Sequence, residues 1–340
     1  MSISIEQGVS LRAFNTFGVD ARAAWFARID SVEQLRAVLA DARVAALPRL
    51  VLGGGSNLLL TADFAGLVLK IEIPGLERVG ETDEAFLVRV GAGERWHATV
   101  DRLLALDLPG LENLALIPGS VGASPIQNIG AYGLEVAERI HQVEALDVDS
   151  GEILCMSAAE CDFAYRDSRF KKDLAGRRIV TAVTFACPKQ WVPVTGYSEL
   201  ANELATRGID SPSPREVFDA VVSIRRRKLP DPTVIGNAGS FFKNPIVSRE
   251  QRHNLVAHHP SLVSYPLAGG RYKLAAGWLI DAAGLKGATR GAAGVYERQA
   301  LVLVNHGGAT GEQILQLARE VQDTVSAKFG VRLELEPVVV

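Results

Sequence analysis

The sequence predicts a protein of mixed helices and strands, organised in two or three domains. Its 340 residues make about two domains at roughly 150 residues each, or three if the middle is an insertion. Helical segments with capping signals lie among short apolar or alternating segments that are typical of strands. The composition, 48% hydrophobic and 22% charged, is that of a globular chain with a large core.

The first half of the chain predicts two helices and several strands. Ser31 with Gln34 is a capping-box pattern followed by an apolar stripe, which predicts the start of a helix. A second helix is predicted over 94–108, closed by Pro109 and Gly110. Strands are predicted at 50–52, 58–71, 86–90, 143–148 and 178–185.

The second half predicts three further helices. Ser213 to Glu216 combines a capping box with proline at the first helical position, and Pro230 ends that helix. The segment 273–285 is expected to be helical and 300–304 to be a strand. Thr310 with Gln313 caps the last helix, and Gly330 stops it.

The segment 331–336 alternates apolar and charged residues, which predicts a strand with one apolar face. Glu334 and Glu336 then share the other face. The alternation alone does not choose between these two carboxylates as functional groups.

Charge and cysteine usage exclude several classes of function. Lys and Arg number 36 against 39 Asp and Glu, a net charge of −3, so no basic field is available for nucleic acid. Three cysteines without Cys-x-x-Cys spacing, and six histidines without a His-Glu-x-x-His motif, predict no metal site. No secretory signal and no 18-residue apolar run is evident, so we expect a cytoplasmic protein that binds no membrane.

Two glycine-rich segments are candidate cofactor sites. The first, Gly53-Gly54-Gly55-Ser56-Asn57, follows a buried strand and could bring backbone N–H groups to a phosphate. Leu58 to Leu60 stand where a dinucleotide fingerprint needs a glycine that opens a helix, so a Rossmann site is rejected. The second lies in the charge-free stretch 113–134 and offers amides, hydroxyls and carboxamides to a ligand. Its candidate residues are Gly119, Ser120, Gly122, Ala123, Ser124, Asn128, Gly130 and Tyr132.

Three further groups are ambiguous from their spacing alone. Arg166, in a cationic cluster, could bind a carboxylate through its guanidinium or lie in a solvated turn. The basic run 225–228 is typical of the C-terminal end of a helix. That one of its side chains points into the protein is the less favoured interpretation. Ser240 lies on a glycine turn backed by two phenylalanines, but Phe242 replaces the glycine that a nucleophile elbow requires.

These motifs together resemble the UDP-N-acetylenolpyruvoylglucosamine reductase family. The resemblance covers nearly the whole chain, through 15–18, 53–57, 111–133, 165–168, 228–232, 237–245 and 333–336. It implies an α+β fold, with an FAD-binding domain of the vanillyl-alcohol-oxidase (PCMH) type in two subdomains and a C-terminal α+β substrate domain. The implied boundaries are 1–71, joined by a strand at 331–340, then 72–212, and 213–330 for the substrate domain.

The resemblance also implies the chemistry. FAD would bind the two glycine segments, NADPH would be the hydride donor, and the enolpyruvyl group of UDP-N-acetylglucosamine enolpyruvate would be reduced to give UDP-N-acetylmuramate for peptidoglycan. By family match Ser240 is the proton donor, Arg166 stabilises the developing charge and Glu336 completes the site. The implied substrate contacts are Tyr197, Lys228, Asn244, Lys286 and Gln299. Tyr197 indicates the longer form of the family, with a lid-like segment, and a monomer is expected.

Two alternatives remain at this stage. An FAD-dependent oxidase of the same fold would link its flavin through His or Cys, and neither residue occurs in the glycine segments. A sugar-nucleotide-binding module without chemistry would be expected to lose Ser240, Arg166 or Glu336, and all three are present.

Overall fold

A computed structural model describes residues 4–340 of the chain. These residues form two compact units. Unit 1 comprises the described residues up to Val9, Ala23–Gly55 and Phe64–Arg227; unit 2 comprises Ser10–Arg22, Ser56–Asp63 and Lys228–Val340. The three-part division expected from the family resemblance stays a prediction.

The strands and helices are numbered in chain order. The strands are β1 (Glu6–Ser10), β2 (Arg22–Ile29), β3 (Arg49–Leu52), β4 (Leu58–Leu59), β5 (Phe64–Ile71), β6 (Leu76–Glu81), β7 (Ala85–Gly91), β8 (Gly130–Ala131), β9 (Leu134–Glu135), β10 (Ile140–Asp147), β11 (Ile153–Ser157), β12 (Arg178–Pro188), β13 (Gly236–Ser240), β14 (Ile246–Val247), β15 (Ser264–Pro266), β16 (Tyr272–Leu274), β17 (Thr289–Arg290), β18 (Ala293–Val295), β19 (Val302–Asn305) and β20 (Val338–Val339). The helices are α1 (Val32–Leu39), α2 (Trp96–Ala105), α3 (Ser198–Thr206), α4 (Pro214–Lys228), α5 (Arg249–His258), α6 (Ala276–Ala282) and α7 (Gly311–Phe329).

Unit 1 contains two sheets around one apolar core. The first has the order β1-β2-β5-β3, with β5 parallel to both β2 and β3. The second is antiparallel with the order β11-β10-β12-β7-β6. The indole of Trp96, from α2, meets Phe185 of β12 edge to face at 5.8 Å. Burial of such large side chains is the main stabilising contribution to a core of this kind.

Unit 2 is built on a sheet of order β13-β19-β18-β17 with α7 packed against β18 and β19. The stripe of Ile314, Leu317, Val321 and Val325 on α7 is buried, as its spacing predicts. A second small sheet has the order β14-β16-β15, and β20 pairs with β4 in parallel.

Most predicted elements are confirmed. The hydroxyl of Ser31 accepts the Gln34 N–H at the start of α1, and Thr310 and Gln313 form a reciprocal capping box on α7. Gly330, at φ +62°, ends α7. The stretch 113–134 is an ordered pair of loops with short 3₁₀ turns and the two-residue strands β8 and β9.

Two predictions differ from the structure. The segment 273–285 is not one helix, because residues 272–274 form β16 and α6 begins only at Ala276. The segment 331–336 keeps its alternating burial but forms only an isolated bridge at Leu335; the terminal strand is β20. Alternation of apolar residues indicates only that one face of the segment is buried. A regular β-ladder also needs a neighbouring strand in register.

Within residues 4–340, no helix is both long and apolar enough to cross a membrane.

Candidate cofactor and catalytic sites

The two glycine segments predicted separately meet within unit 1. A Cβ added to Gly54 would lie 2.6 Å from the Cα of Gly119, and one added to Gly53 would lie 2.4 Å from the Oγ of Ser120. Only glycine allows backbones to approach this closely. The sequence therefore predicted both loops correctly and left their contact to be found in the structure.

The second loop is held in shape by its own polar side chains. Asn128, which is 1% exposed, donates through Nδ2 to Glu135 and to the carbonyl of Ala164, while its Oδ1 accepts the Ala137 N–H. The Ser124 hydroxyl donates to the Val121 carbonyl at 2.7 Å. The backbone N–H groups from Val121 to Ser124 are also bonded within the protein, so the loop is ordered by its own contacts.

Arg166 lies in a tight turn and reaches the second loop. Ala164 and Asp167 exchange backbone hydrogen bonds across the turn, and Arg166 has the left-handed φ of +55°. Its guanidinium donates to the carbonyls of Asn128 (3.3 Å) and Gly130 (2.6 Å). Arg166 can therefore lie in a turn and still present its guanidinium to a ligand, because the turn directs the guanidinium toward the second loop.

Tyr132 and Tyr197 are brought together in unit 1. Their rings meet edge to face with centroids 5.4 Å apart. Burial raises the pKa of the Tyr132 hydroxyl, which hydrogen-bonds to Arg225. Asn113 donates to the carbonyls of Tyr132 (2.8 Å) and Val194 (2.7 Å), so it ties the loop to the segment before Tyr197.

Ser240 lies at the end of β13 in unit 2, directly after an irregularity in the strand. The pairing with β19 shifts between Asn237 and Ser240, and Gly239 has φ +68°. The Asn237 side chain accepts the Gly239 N–H at 3.0 Å and donates to the carbonyls of Pro230 and Ile235. The side chain of Asn237 therefore holds the backbone of this irregular strand end, which carries Ser240.

The structure distinguishes the two carboxylates that sequence alternation left equivalent. Glu334 has a side chain 75% exposed and pairs with Lys243 at 3.2 Å. Glu336 is half-buried, and its N–H donates to the carbonyl of Phe241, the residue after Ser240. Its own carbonyl accepts the Asn57 side-chain N–H at 3.3 Å. The backbone of Glu334 is also bonded to this segment, since its carbonyl accepts the Lys243 N–H at 2.9 Å, so the two residues differ in the exposure of their side chains.

The remaining predicted substrate residues of unit 2 have varied surroundings. The Asn244 Oδ1 accepts the Ala276 N–H at the start of α6, at 2.9 Å. Gln299 makes backbone and side-chain bonds to the turn before β19. Lys286 pairs with Asp281 at 3.1 Å, and Lys228 is half-buried at the end of α4.

Sequence reasoning missed several side chains that organise the glycine loops. Glu112, which is 2% exposed, accepts the Gly110 N–H and the Trp191 indole N–H. Arg225 is the member of the basic run that turns toward the loop, since its Nε donates to the Leu116 carbonyl. His97 accepts the Leu116 N–H. Only buried charge inside an apolar stretch could have signalled Glu112, and no pattern distinguishes Arg225 from its neighbours.

The loops have the properties that an FAD site needs. The backbones of Gly54 and Gly119 pass each other so closely that a Cβ on Gly54 would fill the space between them. Glycine-rich turns commonly bind diphosphate groups through their backbone, without any requirement for a basic side chain. The residues present therefore fit FAD.

Comparisons with known proteins agree. Residues 23–157 match a family model described as an FAD binding domain, and residues 231–340 match one described as UDP-N-acetylenolpyruvoylglucosamine reductase, C-terminal domain. The chain is 57% identical over 339 residues to UDP-N-acetylenolpyruvoylglucosamine reductase of Burkholderia mallei (strain NCTC 10229), covering 99% of this chain and 98% of that protein. The protein of that name from Ralstonia nicotianae is 56% identical over 330 residues, covering 96% of each.

A solved structure of the same family extends the match to the fold. The crystal structure of UDP-N-acetylenolpyruvylglucosamine reductase from Thermus caldophilus aligns with a TM-score of 0.68 and 25% identity, over 100% of this chain and 99% of that one.

The fold and the glycine loops define an FAD-dependent oxidoreductase with a PCMH-type binding domain. Within that class, the chain belongs to the UDP-N-acetylenolpyruvoylglucosamine reductase family. FAD is its cofactor and NADPH its reductant.

Proposed function

We propose that the protein reduces UDP-N-acetylglucosamine enolpyruvate to UDP-N-acetylmuramate, with the residue roles that follow. The observation that carries this proposal is the full-length similarity, supported by the presence of Arg166, Ser240 and Glu336 in the motifs that resemble those of the family. When bound, FAD supplies the redox chemistry, taking hydride from NADPH and passing it to the enolpyruvyl methylene carbon.

The cofactor is held by the backbone of 53–57 and 118–133. Gly53, Gly54, Gly119 and Ser120 form the close contact between the segments. The side chains of Asn128 and Ser124 act by shaping the loop, since their hydrogen bonds are made within the protein.

Ser240 is proposed as the proton donor. Addition of hydride to the methylene carbon leaves negative charge on the carbon beside the carboxylate, and that carbon must gain a proton. A serine hydroxyl is neutral at physiological pH, so it can donate without first being protonated. The bulge at Gly239 and the bonds of Asn237 fix the strand end that carries it.

Arg166 and Glu336 are proposed to support the charged species. A guanidinium is permanently charged and suits the delocalised charge of an enolate beside a carboxylate. Two carbonyl partners preorganise the Arg166 side chain, which reduces the entropy lost when it acts. Glu336 is preferred to Glu334, which is exposed and paired with Lys243.

Tyr197, Lys228, Asn244, Lys286 and Gln299 are proposed to contact the UDP-sugar. Lys228 and Lys286 would neutralise diphosphate charge, and Lys286 would exchange its exposed pairing with Asp281 for the ligand. Asn244 keeps its amide N–H₂ for a ligand while its oxygen caps α6. We also propose that the protein is cytoplasmic and monomeric, and that it has the three-part domain division expected from the family resemblance.

The test is anaerobic absorbance of the purified protein, reduced with NADPH and then mixed with UDP-N-acetylglucosamine enolpyruvate. Return of the oxidised flavin bands is expected. Flavin that stays reduced until air enters would favour an oxidase and contradict the proposed substrate. Failure to bind added FAD would contradict the assignment of the cofactor site.

A further inference from the structure

The segment that leads into the second glycine loop is held by the first turn of α2 and by α4, all within unit 1. The Trp96 indole N–H donates to the Leu114 carbonyl at 2.8 Å. The Leu116 N–H donates to His97 Nδ1 at 3.0 Å, and the Leu116 carbonyl accepts the Arg225 Nε at 3.3 Å. Both backbone polar groups of Leu116 are thus bonded to side chains.

Leu116 needs this support because its backbone is strained. Its φ of +57° lies in the left-handed region, which costs a non-glycine residue of order 1 kcal/mol. Three residues later, Gly119 faces Gly54, and its carbonyl accepts the Trp96 N–H at 3.1 Å. The conformation at 116 therefore determines where the cofactor-facing backbone begins.

The hydrogen bond defines the protonation state of His97. A backbone N–H can only donate, so Nδ1 must carry a lone pair and the ring must be neutral. The ring also stacks on Phe218 of α4, with centroids 5.3 Å apart and planes 9° from parallel. Packing thus fixes the ring, and protonation of Nδ1 would set two donors against each other.

The charges around the ring act in both directions. Burial is the main cause that lowers the pKa of His97; Arg225 and Arg226 of α4 lower it further, while Asp101 of α2 raises it. Asp101 is itself paired with Arg215, 2.7 Å away, whose guanidinium lies over Phe218. A lowered pKa favours the neutral ring, so the clamp is complete above about pH 6.5, the ordinary histidine value, and is lost as the pH falls through the lowered pKa of His97.

We propose that His97 is a positioning residue for the cofactor loop, whose neutral ring holds Leu116 and so makes FAD affinity depend on pH. This rests on the FAD-binding role assigned to the loop. FAD selects the clamped form, and its apparent affinity falls in proportion to the fraction of protein in that form.

The experiment measures the FAD dissociation constant of the apoprotein by quenching of flavin fluorescence, at about pH 7.5 and about pH 5, on either side of the histidine range. The wild-type protein is expected to bind FAD severalfold more weakly at the lower pH, with a loss that grows as the pH falls further through the lowered pKa of His97. Hydrogen exchange of a peptide spanning 114–120, corrected for the intrinsic rate, is expected to increase in parallel.

Three variants separate positioning from general stability. His97→Asn keeps an acceptor that does not titrate, so its affinity should change little with pH. His97→Phe keeps the stacking on Phe218 but has no acceptor, and should bind weakly at both values. Asp101→Asn should move the midpoint to lower pH, because removal of the carboxylate takes away stabilisation of the protonated ring and lowers the pKa of His97.

His141→Asn is the matched control, because His141 is exposed on β10 of the same unit. It should keep the wild-type pH dependence. The proposal is overturned if His97→Asn titrates like the wild-type protein, if His97→Phe binds FAD normally, or if wild-type affinity does not change with pH. If the wild-type protein binds no FAD at either pH, the assignment of the cofactor site itself fails. If it binds FAD but its affinity does not depend on His97, only the proposal for His97 fails.

Discussion

The glycine loops of unit 1 present backbone, whereas the Ser240 and Glu336 region of unit 2 presents side chains. In the loops, what matters is the absence of a Cβ at positions such as Gly54, which lies against Gly119. At Ser240 and Glu336, what matters is a hydroxyl and a carboxylate on a fixed backbone. The comparison teaches that the two regions should respond to opposite kinds of substitution: added atoms should disable the first, and removed polar atoms the second.

Among the cofactor-loop residues, the largest effect is expected for Gly54→Ala. Its new Cβ would meet the Gly119 backbone at 2.6 Å, and backbone cannot rotate away as a side chain can. We expect FAD affinity to fall by about 100-fold or more, the scale of a severe overpacking. Titration of the apoprotein with FAD measures it. Gly80→Ala is the control, since nothing lies within 4 Å of its added Cβ; equal losses in both variants would contradict the steric account.

A large effect confined to catalysis is expected for Glu336→Gln. This change removes the charge but preserves the shape, so FAD binding and reduction by NADPH should be kept while reoxidation by the enolpyruvyl substrate slows by about 100-fold. Stopped-flow absorbance separates the two half-reactions. Glu334→Gln, two residues away, should leave both rates close to wild type, because that carboxylate is exposed. Reversed behaviour of the pair would assign the role to Glu334.

A smaller effect is expected for Gly53→Ala. Its Cβ would approach a side-chain atom, the Oγ of Ser120, at 2.4 Å, while the Cβ of Ser120 is 3.6 Å away. We expect FAD affinity to fall about tenfold. Adding Ser120→Ala should restore most of the loss, because it removes the atom in conflict. A double-mutant cycle with no coupling would show that the contact is not the cause.

The sequence predicted features that depend on neighbouring residues, but not those that depend on contacts between distant segments. The Thr310–Gln313 cap, the buried stripe of α7 and the stop at Gly330 are local, so pattern alone predicted them. The two glycine segments were recognisable by composition. Their contact was not, because it joins residues more than sixty positions apart and leaves no mark in the local pattern.

The choice between Glu334 and Glu336 shows why alternation was insufficient. Both lie on one face of an alternating segment, but that segment is not a regular strand, and it leaves the Glu334 side chain exposed while Glu336 is half-buried. His97 and Arg225 were missed for a related reason. Their roles come from reaching a strained backbone at Leu116, which is defined by tertiary contacts and not by spacing.

The central claim is that the glycine loops bind the cofactor through their backbone while the Ser240 side chain acts in the reaction. It is tested most directly by the two half-reactions of Ser240→Ala under anaerobic conditions. The account predicts that the variant binds FAD and is reduced by NADPH at close to the wild-type rate, while reoxidation by UDP-N-acetylglucosamine enolpyruvate slows by about 10³-fold, the scale of a lost general acid. Equal slowing of both half-reactions, or reoxidation at the wild-type rate, would contradict the assignment of Ser240 as the proton donor.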